Sequence, residues 1–135
     1  MDDVEAIRQL KARYFRTMDT KDWPEMRRVF ADDAVIDTSA SGGGVIAGAD
    51  PFMSFLRETL DGVITAHHGH MPEITLMSPE TASGIWALQD LLIWPDGSRM
   101  HGFGHYHETY EKIDGTWLIS TLTLSRLHMD FTAGA

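Results

Sequence analysis

All seven histidines of this chain lie between residues 67 and 128. They fall into two tight groups, His67-His68-Gly69-His70 and His101 to His107, with His128 near the end. Histidine titrates near neutrality, so it serves as proton shuttle and as metal ligand. Alternation along an extended strand divides the groups. His67 shares a face with Thr65 and Gly69, while His68 and His70 take the other. Farther on, His101, Phe103, His105 and His107 share one face, and Gly102, Gly104, Tyr106 and Glu108 share the opposite one. Alternate glycines clear side-chain bulk where a ligand approaches a strand closely. The histidine face then points away from such a pocket. A metal reading would join His101, His105 and His107 to His68 or His70. No carboxylate or cysteine stands at a recognised ligand spacing. The expectation is therefore no metal, and a polar or subunit-contact surface for these residues.

Two carboxylates and one guanidinium also stand out. Asp90 interrupts the apolar run Ile85 to Ile93 and shares a face with Trp86, Leu88 and Leu92. A carboxylate there is costly unless paired or hydrogen-bonded. Arg126 is similarly placed in the last strand, on the face of Leu122 and Leu124. An Asp90–Arg126 pair across a cavity would satisfy both, either as a structural pair or as a partner for a polar substrate group. Asp19 lies at the edge of a helical stripe near its C-terminal end. Spacing alone reads it as a solvated residue.

The elements that would position these groups follow from periodicity. Val4, Ile7, Leu10, Tyr14 and Met18 mark a helix over residues 3–20. A short second helix has Asp22 as cap, Pro24 in its first turn, and Met26, Val29 and Phe30 facing inward. Ala34 to Asp37 reads as a short strand, and Ser39–Gly48, rich in Ser and Gly, as a mobile loop. A third helix starts with Asp50 as cap and Pro51 at its first position, buries Phe52, Phe55, Leu56 and Leu60, and ends at Gly62. The period then changes to two over roughly residues 63–77, 81–94, 99–113 and 116–129. Asp96-Gly97 and Asp114-Gly115 supply hairpin turns between them. Helices followed by a long antiparallel meander define one α+β domain spanning residues 1–135. A sheet of that length can curl around three helices into a cone with an apolar pocket at its open end.

Composition narrows the function classes. The 135 residues suit one domain, and 43% are hydrophobic, enough for a sizeable core. The net charge of −9 repels phosphate backbones and anionic membranes, so neither nucleic acid nor membrane is an expected partner. With no cysteine, disulfides, thiolate metal sites and a cysteine nucleophile are excluded. The acidic start Met1-Asp2-Asp3-Val4-Glu5 lacks the basic and apolar regions of a signal peptide. The expected location is the cytoplasm.

Family likeness adds a second argument. Arg13-Tyr14-Phe15, Met18-Asp19-Thr20-Lys21-Asp22-Trp23 and Phe30-Ala31-Asp32-Asp33-Ala34 resemble the opening of SnoaL-like proteins of the NTF2-like superfamily. Thr65-Ala66-His67 and Tyr110-Glu111-Lys112-Ile113-Asp114-Gly115-Thr116-Trp117 continue the likeness over nearly the whole chain. The resemblance implies a curved antiparallel sheet wrapped around three N-terminal helices. It extends to the subgroup of scytalone dehydratase and bile acid 7α-dehydratase, which use an Asp–His pair with tyrosines and no cofactor. Asp19 and His67 match that pair, and Tyr14, Asp90 and Arg126 match further positions of the bile acid enzymes. In place of scytalone dehydratase's tyrosine, strand histidine and late asparagine stand Met18, Trp86 and Tyr106, which suits a broader, more apolar ligand.

The resemblance thus implies elimination of water from an apolar cyclic hydroxy-carbonyl compound. His67 would be general base and acid, Asp19 would fix its tautomer, and Tyr14 would donate to the substrate oxygen. Asp90, Arg126, Trp86, Tyr106, Phe55, Leu88 and Met71 are expected to bind substrate. A ketosteroid-isomerase-like or cyclase-like reaction uses the same groups, and a non-catalytic binder of small ligands stays open. Relatives assemble as dimers, trimers or larger, so a homo-oligomer is expected, with a trimer first.

Overall fold

A computed structural model describes residues 1–135. Asp2 starts the first helix: its carboxylate accepts the Glu5 N–H at 2.8 Å, and the chain winds into α1 (Asp3–Asp19). Ile7, Leu10, Lys11, Tyr14 and Met18 fall on the buried stripe, the spacing of an amphipathic helix. Asp22 caps the short α2 (Trp23–Arg27), with Pro24 in its first turn. The third helix, α3 (Ala49–Leu60), buries Phe52, Met53, Leu56 and Leu60. Its cap differs from the sequence expectation. Gly48, at φ 103°, precedes the helix, and Asp50 lies inside the first turn. There the Asp50 carboxylate accepts Arg27 Nε at 2.8 Å instead of capping. Pro51 falls in the same turn, where a missing N–H costs nothing.

Six strands form one sheet: β1 (Phe30–Asp37), β2 (Val45–Ala47), β3 (Ile64–Ser78), β4 (Thr81–Ile93), β5 (Arg99–Ile113) and β6 (Thr116–Thr132). The order is β2-β1-β6-β5-β4-β3. The four long strands form the expected antiparallel meander. Asp114 and Gly115, at φ 50° and 80°, make the tight turn between β5 and β6. Two features were not read from the sequence. β1 lies parallel to β6, and Val45-Ile46-Ala47 pairs with β1, so part of the Ser39–Gly48 stretch is a strand. Its Ser39–Ser41 portion is one turn of 3-10 helix. The fold is an α+β cone with a mostly antiparallel sheet, and two strands precede the third helix.

Bulges bend the long strands, as an inserted residue does. In β3 the register jumps between His70 and Glu73, leaving Met71 at φ 39° and 89% exposed. In β6, Phe103 pairs with His128 and Gly104 with Arg126, so Leu127 has no partner. The bulge reverses the alternation. Leu122, Leu124 and Arg126 face the interior before it, and Met129 and Phe131 turn toward the cavity after it. Helices and concave sheet enclose a core centred on Ile7, Leu10, Phe30, Phe52, Tyr110 and Ile119. No helix is long and apolar enough to cross a membrane.

Candidate active site

The last residue of α1 places a carboxylate beside β3. An anion at a helix C-terminus opposes the helix dipole, so Asp19 needs donors from elsewhere. Three supply it. The His67 backbone N–H donates to Oδ2 at 2.8 Å, and Thr65 Oγ1 donates to Oδ1 at 2.9 Å. His67 Nδ1 lies 2.7 Å from Oδ1. Burial alone would raise the Asp19 pKa, but these hydrogen bonds and the charge of His67 hold it below its ordinary 3.8. An ionised carboxylate can only accept, so Nδ1 carries a proton, and in the neutral form of the ring the lone pair is on Nε2. Lys21 Nζ donates to Thr65 Oγ1 at 2.9 Å and extends the cluster.

His67 pairs across the sheet with Asp90, and Asp90 with Gly102. His67 Nε2 lies 4.0 Å from Asp90 Oδ2. Arg126 grips Asp90 with both nitrogens, Nη1 to Oδ1 at 2.7 Å and Nη2 to Oδ2 at 2.9 Å. This two-pronged geometry is the strongest that guanidinium and carboxylate form. The pair is nearly buried, at 4% and 9% side-chain exposure. Arg126 Nε donates to Ser41 Oγ at 2.8 Å, tying the 3-10 turn to the same cluster. A Cβ at Gly102 would collide with Arg126 Nη1 and Asp90 Oδ1. That glycine therefore makes room for the ion pair. At Gly104 a Cβ would strike the Ser125 carbonyl, a consequence of the nearby bulge.

A cavity of about 380 Å³ opens over these groups. His67, Asp90 and Arg126 form part of its wall, with Tyr14 and Tyr106 beside them. Phe52, Phe55, Leu56 and Leu60 of α3, Leu92, Trp94, Leu124, Met129 and Phe131 make it mostly apolar. Thr38, Ser41, Gly42 and Gly43 edge it. The rings of Tyr14 and Tyr106 meet edge to face at 5.7 Å. Burial first, and then the charge of Glu108, push the Tyr14 hydroxyl far above its ordinary pKa; burial does the same to Tyr106. The two hydroxyls also hydrogen-bond each other, and both keep their protons.

The sequence-named residues thus divide. Tyr14, His67, Asp90, Arg126, Tyr106 and Phe55 share the cavity, and Asp19 stands behind His67. Trp86 and Leu88 point inward but lie deeper, in the core. Phe15 of α1 packs where a Cβ at Gly69 would stand, against Trp86, and Trp86 Nε1 donates to the Tyr110 hydroxyl at 3.0 Å. Met71 lies outside altogether, turned to solvent by the bulge. His68, His70, His101 and His107 are exposed on the opposite side of the sheet. Sequence reasoning missed the β6 residues Met129 and Phe131, because an unbroken alternation sends them outward. It also missed a buried ion pair beneath the tyrosines, Lys11 Nζ to Glu108 Oε2 at 2.6 Å.

Two stability measurements check this arrangement. Asp90→Asn strands the Arg126 charge and should cost about 3 kcal/mol in urea unfolding, whereas Asp90→Leu with Arg126→Met should cost clearly less. A double variant as unstable as the single one would contradict the pairing. Asp19 contributes stability above about pH 4 that is lost as the pH falls through its lowered native value. Wild type should therefore lose stability more steeply with acid than Asp19→Asn, and parallel curves would remove Asp19 from the account.

A protein of Gibberella zeae named "Probable cyclase FGR4" is 25% identical, covering 90% of this chain and 89% of its own. A structure named "Putative Scytalone Dehydratase" from Novosphingobium aromaticivorans superposes with a TM-score of 0.85 at 18% identity, over 98% of this chain and 89% of the other. Hexachlorocyclohexane dehydrochlorinase LinA-type3 from Novosphingobium barchaimii superposes with a TM-score of 0.82 at 20% identity, over 97% and 90%. The family model of the SnoaL-like domain matches residues 1–123. The chain belongs to the SnoaL-like family, within the NTF2-like superfamily.

Proposed function

We propose that the protein is a cofactor-independent carbon–oxygen lyase that removes water from an apolar cyclic hydroxy-carbonyl compound. One observation carries this reading. His67 is a tautomer-fixed imidazole whose Nδ1–H is engaged by Asp19, in the wall of an apolar cavity it shares with two protonated tyrosines. A carbonyl acidifies the adjacent carbon–hydrogen bond. Nε2 takes that proton, and the electron pair forms the enolate. The enolate then expels the neighbouring hydroxyl as the imidazolium returns the proton to it, so one water leaves and His67 is restored. Tyr14 and Tyr106 donate to the carbonyl oxygen as its charge grows. Asp90, 4.0 Å from Nε2, faces the imidazolium that forms.

Relatives named for dehydration and dehydrochlorination support elimination as the reaction class, since both remove a proton and a leaving group. The relative named as a cyclase supports a second reading, in which the same enolate closes a ring instead. Product mass separates the two.

The test uses 3-hydroxy-1-tetralone, whose dehydration yields fluorescent 1-naphthol. Wild type should form naphthol with the loss of one water mass. His67→Ala should lower kcat about 100- to 10,000-fold, equivalent to roughly 3–5 kcal/mol of barrier. Tyr14→Phe should lower it about 100-fold. Near-normal turnover by His67→Ala would refute the base assignment. A product of unchanged mass, from this or a related hydroxy-ketone, would transfer the assignment to isomerisation or cyclisation.

A further inference from the structure

Beneath the cavity lies a charged pair that the proposed reaction does not use. Lys11 stands one turn before Tyr14 on the buried stripe of α1, and Glu108 lies two residues after Tyr106 on the inner face of β5. Both side chains are 0% exposed. The ammonium has three hydrogens and one carboxylate, Glu108 Oε2 at 2.6 Å. Its other sides are covered by ring faces: Nζ is 3.5 Å from the Tyr14 centroid and 3.6 Å from that of Tyr106. Phe15 closes the shell at 4.9 Å. The second Glu108 oxygen accepts the Tyr110 hydroxyl at 2.6 Å, and Tyr110 accepts Trp86 Nε1 at 3.0 Å. A Cβ at Gly84 would strike the Tyr110 hydroxyl, so that glycine makes space for the relay. Every buried polar side-chain atom is thereby satisfied.

A hydrophobic pair would fill this volume at lower desolvation cost. The retained ammonium touches the rings of two tyrosines that line the cavity. A cation on a ring face is bound by its π electrons and draws that density toward itself. The phenol oxygen is thereby depleted, and its O–H becomes a stronger donor. We propose that Lys11, held by Glu108, is a positioning residue that fixes Tyr14 and Tyr106 and strengthens both hydroxyls as donors to a ligand oxygen. This role rests on the reading of the tyrosines as substrate donors.

Burial, partly offset by the charge and hydrogen bond of Glu108, brings the Lys11 ammonium down to about pKa 8. Its loss can be followed without substrate. The groups around it are Glu108, Tyr106 and Tyr110 of β5 and Tyr14 of α1; the charges of Asp90 and Asp19 also act on Tyr14, and His67 lies in the wall of the same cavity.

The experiment labels the protein with [13Cζ]tyrosine, assigns the three tyrosine resonances with single Tyr→Phe variants, and titrates from about pH 6 to 10. The Tyr14 and Tyr106 signals should move together with a midpoint near pH 8. The step should survive in His67→Asn and vanish in Lys11→Met/Glu108→Leu. Glu108→Gln keeps Lys11 but removes the anion that supports its charge, so it should shift the midpoint to lower pH. A step retained without Lys11, a midpoint unmoved by Glu108→Gln, or Tyr14 and Tyr106 resonances at about pH 6 that are the same in wild type and Lys11→Met/Glu108→Leu would each overturn the proposal. In turnover of 3-hydroxy-1-tetralone, Lys11→Met/Glu108→Leu should lower kcat about ten-fold with little change in KM. The loss should disappear in a Tyr14→Phe/Tyr106→Phe background, and an equal loss there would overturn action through the tyrosines. Because the titration needs no substrate, it decides the role of Lys11 even if the wild type turns over no hydroxy-ketone, an outcome that would count against the lyase reading alone.

Discussion

The Asp19 carboxylate joins the two halves of this molecule. β3 is the last strand of the sheet, and an edge strand exposes unpaired backbone groups. Asp19 covers one of them, the His67 N–H, with Oδ2, while Oδ1 holds the imidazole and the Thr65 hydroxyl. One residue thus covers a backbone group of the sheet edge, anchors the end of α1 to it and sets the histidine tautomer. The cost is an anion at the wrong end of a helix dipole, roughly 0.3–1 kcal/mol. Three donors offset it. Orientation of His67 is therefore a consequence of how helix and sheet dock, which makes it as rigid as the fold.

Across the sheet a second carboxylate is held in a comparable way. Asp90 is the cross-strand partner of His67, and the two prongs of Arg126 fix it from β6. Arg126 reaches over β5 because Gly102 has no side chain in between. The same guanidinium holds Ser41, so the cavity rim is tied to the ion pair. Below them Lys11, Glu108, Tyr110 and Trp86 form a separate layer, divided from the first by Tyr14 and Tyr106. The tyrosines are the contact between an upper layer that faces the cavity and a buried, fully paired lower one.

Much of this was legible from sequence, for identifiable reasons. Period-two alternation and two Asp-Gly turns delimit the four long strands, and alternation alone sends His67 inward and His68 and His70 outward. Asp90 and Arg126 announce themselves as charges on apolar faces. What was illegible depends on broken periodicity or on depth. The bulge at Leu127 brings Met129 and Phe131 to the cavity, and the bulge at Met71 removes that residue from it. Trp86 and Leu88 obey the alternation, yet they lie below the pocket, because position along the cone axis is set by where α1 crosses. The Lys11–Glu108 pair did leave a signal. Lys11 falls on the stripe of Ile7, Tyr14 and Met18, and Glu108 on the face of Tyr106 and Tyr110. Two opposite charges at inward positions on separate elements imply each other, since neither is tolerated alone.

Charge balance ties the site to the kind of ligand it suits. Asp19 and Asp90 bring two negative charges, and Arg126 one positive. Lys21, bonded to Thr65 beside Asp19, adds a positive charge outside the cavity wall. With His67 neutral, the four side chains Asp19, Asp90, Arg126 and His67 carry a net charge of −1, and on the proposed reading an anionic ligand entering the apolar cavity would meet repulsion with little water to screen it. An uncharged ligand would not. When His67 takes a proton from such a ligand, the four side chains become neutral together. The negative charge then resides on the ligand oxygen, where only hydrogen-bond donors face it. Tyr14 and Tyr106 suit that task because burial keeps their protons in place. On the proposed reading, proton transfer moves charge from a place where carboxylates stabilise an imidazolium to a place where phenols stabilise an enolate. Neither end needs water to reorganise, which is the condition under which fixed dipoles in a dry cavity are most effective.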